Sequence, residues 1–152
     1  MNRKTYDMIV YGFLEENELL SLLELYQQLN PDDDKIDDIA AKNIWERITS
    51  QNIKYFVAKD DGKIIASCYL CIIPNLTRGG KSIGFIENVI TDMGYRRRGI
   101  GKTIIKKAIE YAQKQNCYKV LLQSGNKRVD AHLFYESIGF SGESKKAFEM
   151  RF

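Results

Sequence analysis

Residues 89–103 read VITDMGYRRRGIGKT and carry the strongest signal in this 152-residue chain. An apolar run enters the segment and a helical repeat of apolar residues leaves it, which predicts a strand, a turn and a helix in that order. Gly99 and Gly101 lie where the helix is expected to begin, and glycine lets the backbone approach a ligand closely. The first amide groups of a helix have no partner within it and carry the positive end of its dipole. The turn is therefore a candidate site for phosphate groups, and its three arginines would add positive charge.

Two familiar phosphate-binding patterns are absent from this turn. The dinucleotide-binding spacing Gly-x-Gly-x-x-Gly fails at Ile104, and the chain contains no Gly-x-x-x-x-Gly-Lys-Ser/Thr. The alternative is a plain loop that the glycines shape and whose arginines face solvent. The turn alone leaves both interpretations open.

The elements on either side of the turn alternate between strand and helix patterns. The predicted strands are Tyr6–Tyr11, Lys54–Lys59, Lys63–Ile73, Ser82–Thr91, Tyr118–Gln123 and Ala147–Phe152. The predicted helices are Glu15–Gln28, Ile36–Ser50, Gly99–Gln115 and Arg128–Ser137. The order β-α-α-β-β-β-α-β-α-β, without a linker or an internal repeat, predicts one α+β domain over residues 1–152 with a mixed sheet.

Composition excludes several classes of protein. Apolar residues make up 44% and charged residues 28% of the chain, which is the balance of a globular protein rather than a disordered one. No apolar run approaches the roughly 20 residues of a membrane-spanning helix. Acidic residues from Asp7 onward interrupt what would be the apolar part of a secretory leader, so we expect a cytoplasmic protein with no membrane partner.

Charge and cysteine usage exclude two further kinds of site. The net charge of +3 is mild and its basic residues concentrate at the glycine turn, whereas a nucleic-acid binder more often has a long basic stripe. Cys68 and Cys71 stand three positions apart on one predicted strand, so their thiols point to opposite faces. No second pair or neighbouring histidine completes a metal centre. We expect no metal and no nucleic-acid partner.

The pattern Arg96-x-x-Gly99-x-Gly101 after a strand, followed by FYESIGF at residues 134–140, resembles the GNAT superfamily of acetyl-CoA-dependent N-acetyltransferases, in particular its bacterial small-molecule members. The resemblance covers nearly the whole chain, from the two N-terminal helices to the Tyr-x-x-x-Gly-Phe segment. It implies a mostly antiparallel central sheet flanked by helices, an acyltransferase activity, acetyl-CoA as cosubstrate and a homodimer.

The resemblance also implies which residues bind the cosubstrate. Backbone groups of Val89, Ile90 and Thr91 would pair with the pantetheine arm. The residues expected around the CoA pyrophosphate are Arg96, Arg97, Arg98, Gly99, Ile100, Gly101, Lys102 and Thr103. Arg128 occupies a position where many relatives carry Asn, and His132 is expected to pack or cap beside the cosubstrate, with proton shuttling as the alternative.

Two side chains are candidates for acid–base chemistry. An alkyl amine has a pKa near 10, so only about one molecule in a thousand is neutral at pH 7 and a base is needed. Glu87 interrupts an apolar strand just before the expected pantetheine residues and is the candidate base; the alternative is a glutamate on an exposed face or edge. By resemblance, Tyr135 would protonate the departing thiolate; the alternative is an aromatic core residue. No cysteine sits beside an obvious base, so direct transfer is expected.

The acceptor is expected to be a primary amine of a small molecule. FIENV at 85–89 and FEMRF at 148–152 resemble amino sugar phosphate acetyltransferases, whereas the segment 124–135 resembles enzymes of aminoalkylphosphonates. Arg128, Arg151 or Lys127 would then be a counter-charge. The acidic loop Asp32–Asp38 would instead suit a polyamine or an aminoglycoside, unless it is only a solvated loop. A protein N-terminus or lysine as acceptor, and an acyl-CoA-binding module without catalysis, are the remaining alternatives.

Overall fold

A five-stranded sheet in the order β1-β2-β3-β4-β5 organises the computed structural model, which describes residues 8–152. The strands are β1 Val10–Phe13, β2 Ile53–Asp60, β3 Lys63–Ile73, β4 Ser82–Thr91 and β5 Cys117–Leu122. The helices are α1 Leu19–Leu29, α2 Asp38–Thr49, α3 Ile100–Lys114 and α4 Val129–Ile138. Strands β1 to β4 pair antiparallel with their sequence neighbours, and β5 adjoins β4. The predicted mixed, mostly antiparallel sheet with flanking helices is confirmed.

The chain divides into two compact units. The first ends at Leu121 and contains β1 to β4, α1 to α3 and nearly all of β5. The second is Leu122–Phe152 and contains α4.

Local signals fix the helix ends close to the predicted positions. Helix α1 ends at Leu29 because the residue before Pro31 is pushed away from helical dihedral angles. Helix α2 begins after Asp37, whose carboxylate accepts a hydrogen bond of 2.8 Å from the Ala40 amide. A 3-10 turn at Glu16–Glu18 precedes α1, so this helix starts later than predicted.

The helices of the first unit cover opposite faces of the sheet. Tyr55 of β2 contacts Trp45 of α2, with ring centroids 6.1 Å apart. The next residue, Phe56, contacts Tyr111 of α3 at 5.8 Å. Because successive strand residues point to opposite faces, α2 and α3 lie on different sides of the sheet. Helix α1 shares the α2 face, where its Leu22 packs with the same apolar cluster as Tyr55.

An extra residue interrupts β4. Tyr69 pairs with Glu87 and Ser67 pairs with Ile90, so the single residue between them on β3 faces two residues, Asn88 and Val89, on β4. Asn88 has a φ of 50°, in the left-handed region. This arrangement is a β-bulge, which bends the strand and re-aims the side chains that follow it.

The end of β4 is tied to helix α1. The Gln28 side chain donates to Asp92 at 2.9 Å and accepts from the Met93 amide at 3.0 Å. Asp92 also accepts from the Gly94 amide at 2.8 Å, and Lys63 lies 3.7 Å from it. Burial raises the pKa of this carboxyl, but the hydrogen bonds from Gln28 and Gly94 and the charge of Lys63 outweigh it, and the net pKa is lowered.

Two predicted strands differ from the structure. The predicted final strand Ala147–Phe152 is wrong: no strand forms there, and Phe148, Met150 and Phe152 are exposed. The segment alternates between apolar and polar residues as a strand does, but a strand forms only where a neighbouring strand supplies hydrogen bonds. Strand β1 begins and ends later than the predicted Tyr6–Tyr11, whose first two residues lie outside the described part of the chain, as do Met1–Lys4.

Gly84 provides a test of sheet packing. A Cβ at this position would lie 3.1 Å from Leu70 Cδ1, 3.2 Å from Val120 Cγ2 and 3.4 Å from Ala112 Cβ. We expect Gly84→Val to lower the free energy of unfolding by about 1–3 kcal/mol, because the site has no room for a branched side chain. Urea unfolding measures the change. Gly12→Val is the matched control, since a Cβ at Gly12 meets nothing within 4 Å; an equal loss in both variants would contradict the packing argument.

Asp92 predicts a pH dependence of stability. Folding lowers the pKa of Asp92, so the ionised carboxylate stabilises the folded protein. This stabilisation is complete above the pKa of an aspartate in the unfolded chain, about 3.9, and is lost as the pH falls through the lower pKa of the folded state. Asp92→Asn should cost about 1–3 kcal/mol at pH 7 and reduce the loss of stability between about pH 5 and pH 2. Unfolding curves across this range test the prediction, with Asp33→Asn in the exposed loop as control. The prediction would be refuted if the free energy of unfolding fell with decreasing pH by the same amount in wild type and in Asp92→Asn.

Candidate functional site

The turn that enters α3 presents backbone amides that have no partner within the helix. Gly99 is the N-cap of this helix and has a φ of 77°, a left-handed conformation that residues other than glycine rarely adopt. The first bond within the helix runs from the Thr103 amide to the Gly99 carbonyl at 3.0 Å, which leaves the amides of residues 100–102 without a helical partner. A Cβ on Gly99 would meet nothing within 4 Å, so this side of the turn is open. The geometry fits a pyrophosphate.

Two of the three arginines also brace the turn. Arg96 Nε donates to the Thr91 carbonyl at 3.1 Å. A terminal nitrogen of Arg98 donates to the Gly94 carbonyl at 3.0 Å, and the guanidinium lies 5.0 Å from the Tyr95 ring. Arg97 has a φ of 61° and is exposed. All three keep positive charge beside the unpaired amides, although Arg96 and Arg98 are partly committed to structure.

Glu87 lies at the end of a row of aromatic side chains. It is half-buried on β4 directly opposite Tyr69 of β3, so both side chains project from the same face. Tyr69 lies 5.1 Å from the Tyr55 ring, and Tyr55 lies 6.1 Å from Trp45. Burial, and then the charge of Glu87, raise the pKa of Tyr69. The row Trp45–Tyr55–Tyr69–Glu87 therefore crosses the sheet on the face that α1 and α2 cover.

Buried hydroxyl groups lie next to this row. The hydroxyls of Tyr26 on α1 and Ser67 on β3 are buried. Burial raises the pKa of Tyr26 and raises that of Tyr55 to about 12. Interactions with Ser67 and with Asn88 of the bulge lower the pKa of Tyr26, against the larger effect of burial. Both phenols are consequently neutral at pH 7 and can donate hydrogen bonds but not serve as bases. Glu87 is the carboxylate at this end of the face.

The second unit holds the other predicted residues. Tyr135 is buried on α4, and its ring lies 5.3 Å from Phe134 and 6.1 Å from Phe140. His132 Nε2 donates to the Gly125 carbonyl at 2.9 Å, which ties α4 to the preceding loop. Arg128 is the exposed N-cap of α4. The predicted role of His132 beside the cosubstrate stays a prediction.

The cysteines do not form a nucleophilic or metal centre in the described residues. Cys68 is fully buried, and burial raises the pKa of its thiol to about 12. Burial also raises the pKa of Cys117. Within residues 8–152, no three His, Cys, Asp or Glu side chains are grouped as a metal ion would require. No helix in this range is long and apolar enough to cross a membrane.

Sequence reasoning missed several residues of the site. Tyr69, Ser67 and Gln28 are unremarkable in their local patterns, and each gains its place through a residue distant along the chain. Only the strand register puts Tyr69 beside Glu87. One indication of these residues is present in the sequence: Ser67 is a polar residue within the apolar run of β3.

Comparison with known proteins bears on the family and the fold of the chain. The model of the Acetyltransferase (GNAT) family matches residues 19–140. The glucosamine 6-phosphate N-acetyltransferase of Trypanosoma brucei brucei is 36% identical over 135 residues, which are 88% of this chain and 89% of that protein.

Solved structures show the same fold. The glucosamine-6-phosphate N-acetyltransferase of Arabidopsis thaliana superposes with a TM-score of 0.85 at 25% identity, covering 94% of this chain and 98% of that one. An aminoglycoside N-acetyltransferase in complex with CoA gives a TM-score of 0.81 and covers 99% of both chains, but at 18% identity the likeness concerns the fold alone. The match of the family model over residues 19–140 settles the assignment: the chain belongs to the GNAT family of acetyltransferases, for which acetyl-CoA is the acetyl donor.

Proposed function

We propose that this acetyltransferase moves the acetyl group of acetyl-CoA directly to a primary amine of a small molecule. The observation that carries the proposal is the position of Glu87. It is a half-buried carboxylate one residue before the bulge of β4, the strand that leads into the amide-lined turn. The relatives at 25% identity or more that are named above support a small acceptor, because both are named for glucosamine 6-phosphate.

The predicted cosubstrate contacts follow the chain from β4 into α3. Val89, Ile90 and Thr91 are the last three residues of β4 after the bulge, and we propose that their backbone groups bind the pantetheine arm. The amides of residues 97–102 would bind the pyrophosphate, supported by the unpaired first turn of α3. Contacts from Arg128 and His132 stay predictions.

Glu87 acts as the general base in this proposal, directly or through a water molecule. The acceptor arrives largely as an ammonium ion, and Glu87 removes the proton that blocks the nitrogen lone pair. The nitrogen then attacks the acetyl carbon, a C–N bond forms and the C–S bond breaks. The second proton of the nitrogen leaves to solvent as the amide forms, and Glu87 releases its own proton to solvent. A half-buried carboxylate suits this role because it is shielded from bulk solvent yet reachable.

Tyr135 acts as the general acid. A proton from its hydroxyl neutralises the CoA thiolate as it leaves, and solvent restores that proton. Overall, one ammonium and one thioester give an amide, a thiol and a proton. The burial of Tyr135 on α4 and the aromatic rings around it support a fixed orientation. Transfer without an acetyl-enzyme is supported by the raised pKa of the Cys68 and Cys117 thiols.

The acceptor classes that remain are an amino sugar phosphate, an aminophosphonate, a polyamine, an aminoglycoside and a protein amine. The action of residues 1–152 as one domain, the cytoplasmic location and the homodimer stay predictions.

The glycine turn can be tested by cosubstrate binding. We expect acetyl-CoA and CoA, but not ATP, to raise the melting temperature of wild type, because a ligand that binds the folded state stabilises it by mass action. Gly99→Glu should abolish this shift, since a carboxylate would repel the pyrophosphate at the unpaired amides. Gly99→Ala is the control, because it imposes the same backbone strain without the charge and should retain more of the shift. A full shift with Gly99→Glu would show that the turn is a plain loop.

The acid–base assignment can be tested by kinetics. Glu87→Gln should lower kcat by about 10²–10⁴-fold at pH 7 and recover part of it at alkaline pH, where more of the amine is neutral without help. Tyr135→Phe should lower kcat by about 10²-fold or more and leave the acetyl-CoA-induced thermal shift intact. CoA release across a pH series measures both. Glu110→Gln, on the exposed side of α3, is the control, and wild-type rates with unchanged pH profiles in the two variants would contradict the assignments.

A further inference from the structure

Helices α1 and α2 enclose an apolar cavity on the sheet face that carries Glu87. Its volume is about 160 Å³, and Tyr55 of β2 forms part of its wall. The helical residues that line it include Leu22, Leu23 and Tyr26 of α1 and Ala41, Ile44 and Trp45 of α2. A cavity of about 150 Å³ lined by similar side chains accepts benzene. The space therefore suits one six-membered ring or an alkyl group of similar size.

The cavity is open to a ligand rather than sealed in the core. Ile36 and Ile44, which line it, are 43% and 41% exposed. Ala41 is the only residue of α2 that is buried. The apolar sides of the two helices thus face a shared space without filling it.

The aromatic row connects the cavity to Glu87. Trp45 and Tyr55 line the cavity, and Tyr55, Tyr69 and Glu87 occupy directly opposed positions on β2, β3 and β4. Neighbouring strands lie about 4.8 Å apart, so roughly 10 Å separate the Tyr55 and Glu87 positions. Aromatic faces attract a cation such as an ammonium group. A ligand with its apolar end in the cavity would need a linker of a few carbons to bring an amine to Glu87.

Charge near the cavity favours a cation over a phosphate. The loop between α1 and α2, together with the first residue of α2, carries five aspartates and one lysine in residues 32–38, all exposed. The negative potential of such a loop attracts an amine and repels a phosphorylated sugar.

We infer that the acceptor is a primary amine with an apolar ring or chain, held in the α1–α2 cavity while its nitrogen meets Glu87 along the row of Tyr55 and Tyr69. This inference rests on the proposed function and narrows it to one substrate class. It separates this protein from relatives named for glucosamine 6-phosphate.

Binding can be measured without turnover, because Trp45 is the single tryptophan of the chain and lines the cavity. We expect 4-phenylbutylamine, titrated into the protein with CoA bound, to change the Trp45 fluorescence saturably. Butylamine, the matched amine without the ring, should bind at least tenfold more weakly. Equal affinities for the two amines, or no fluorescence change with 4-phenylbutylamine, would overturn the inference.

Kinetics with a cavity variant provide the second test. CoA release should show a kcat/KM for 4-phenylbutylamine at least tenfold above that for glucosamine 6-phosphate. Ala41→Leu, which fills part of the cavity, should raise the KM for 4-phenylbutylamine at least fivefold and keep the acetyl-CoA-induced thermal shift, which shows that the variant folds. Asn43→Leu, on the exposed side of α2, should leave this KM unchanged.

The outcomes separate the two proposals. A preference for glucosamine 6-phosphate, or an unchanged KM in Ala41→Leu, would overturn the cavity assignment while acetyl transfer to a small amine stands. The proposed function fails if acetyl-CoA binds but CoA is not released with 4-phenylbutylamine, glucosamine 6-phosphate, an aminoglycoside or any other amine. The Trp45 titration then decides independently whether the cavity binds an apolar amine.

Discussion

The bulge at Asn88 is the constraint on which the arrangement of the site depends. Side chains alternate along a strand, so a change of one residue in register moves every later side chain to the other face. Because of the extra residue, the side chains of Glu87 and Ile90 point to the same face of the sheet, the one that α1 and α2 cover. Ile90 packs there in the apolar cluster. A regular strand would leave one of them on the α3 side. The bulge thus allows one strand to carry a polar site and a buried anchor on the same face.

Helix α1 joins the two ends of the first unit's site. Leu22, Leu23 and Tyr26 line the cavity, while Gln28, in the last turn, binds both Asp92 and the Met93 amide at the start of the glycine turn. The placement of α1 on the sheet therefore determines both the shape of the cavity and the position of the glycine turn. A shift of α1 would alter both, because they share one rigid element.

The proposed donor and acceptor sites draw on different parts of the chain. The proposed donor site uses backbone amides at the start of α3, which depend on a left-handed glycine more than on particular side chains. The cavity is formed by side chains of α1 and α2, whose lining residues are free to differ without disturbing those amides. A family can therefore keep its acetyl donor while its members take different amines. The apolar lining and the acidic loop are the features on which the inferred preference for an apolar amine rests.

Local patterns in the sequence were sufficient to predict the strand Ser82–Thr91, the glycine turn and the end of α1 before Pro31, because dihedral preferences and apolar periodicity act over a few residues. Glu87 was also visible as a charge within an apolar strand. The row Trp45–Tyr55–Tyr69, the bulge and the cavity were not visible, since each depends on which residue of one strand or helix lies opposite another. The segment 147–152 shows the same limit in reverse: it alternates like a strand but forms none, because the hydrogen bonds of a strand come from a partner that the pattern cannot supply.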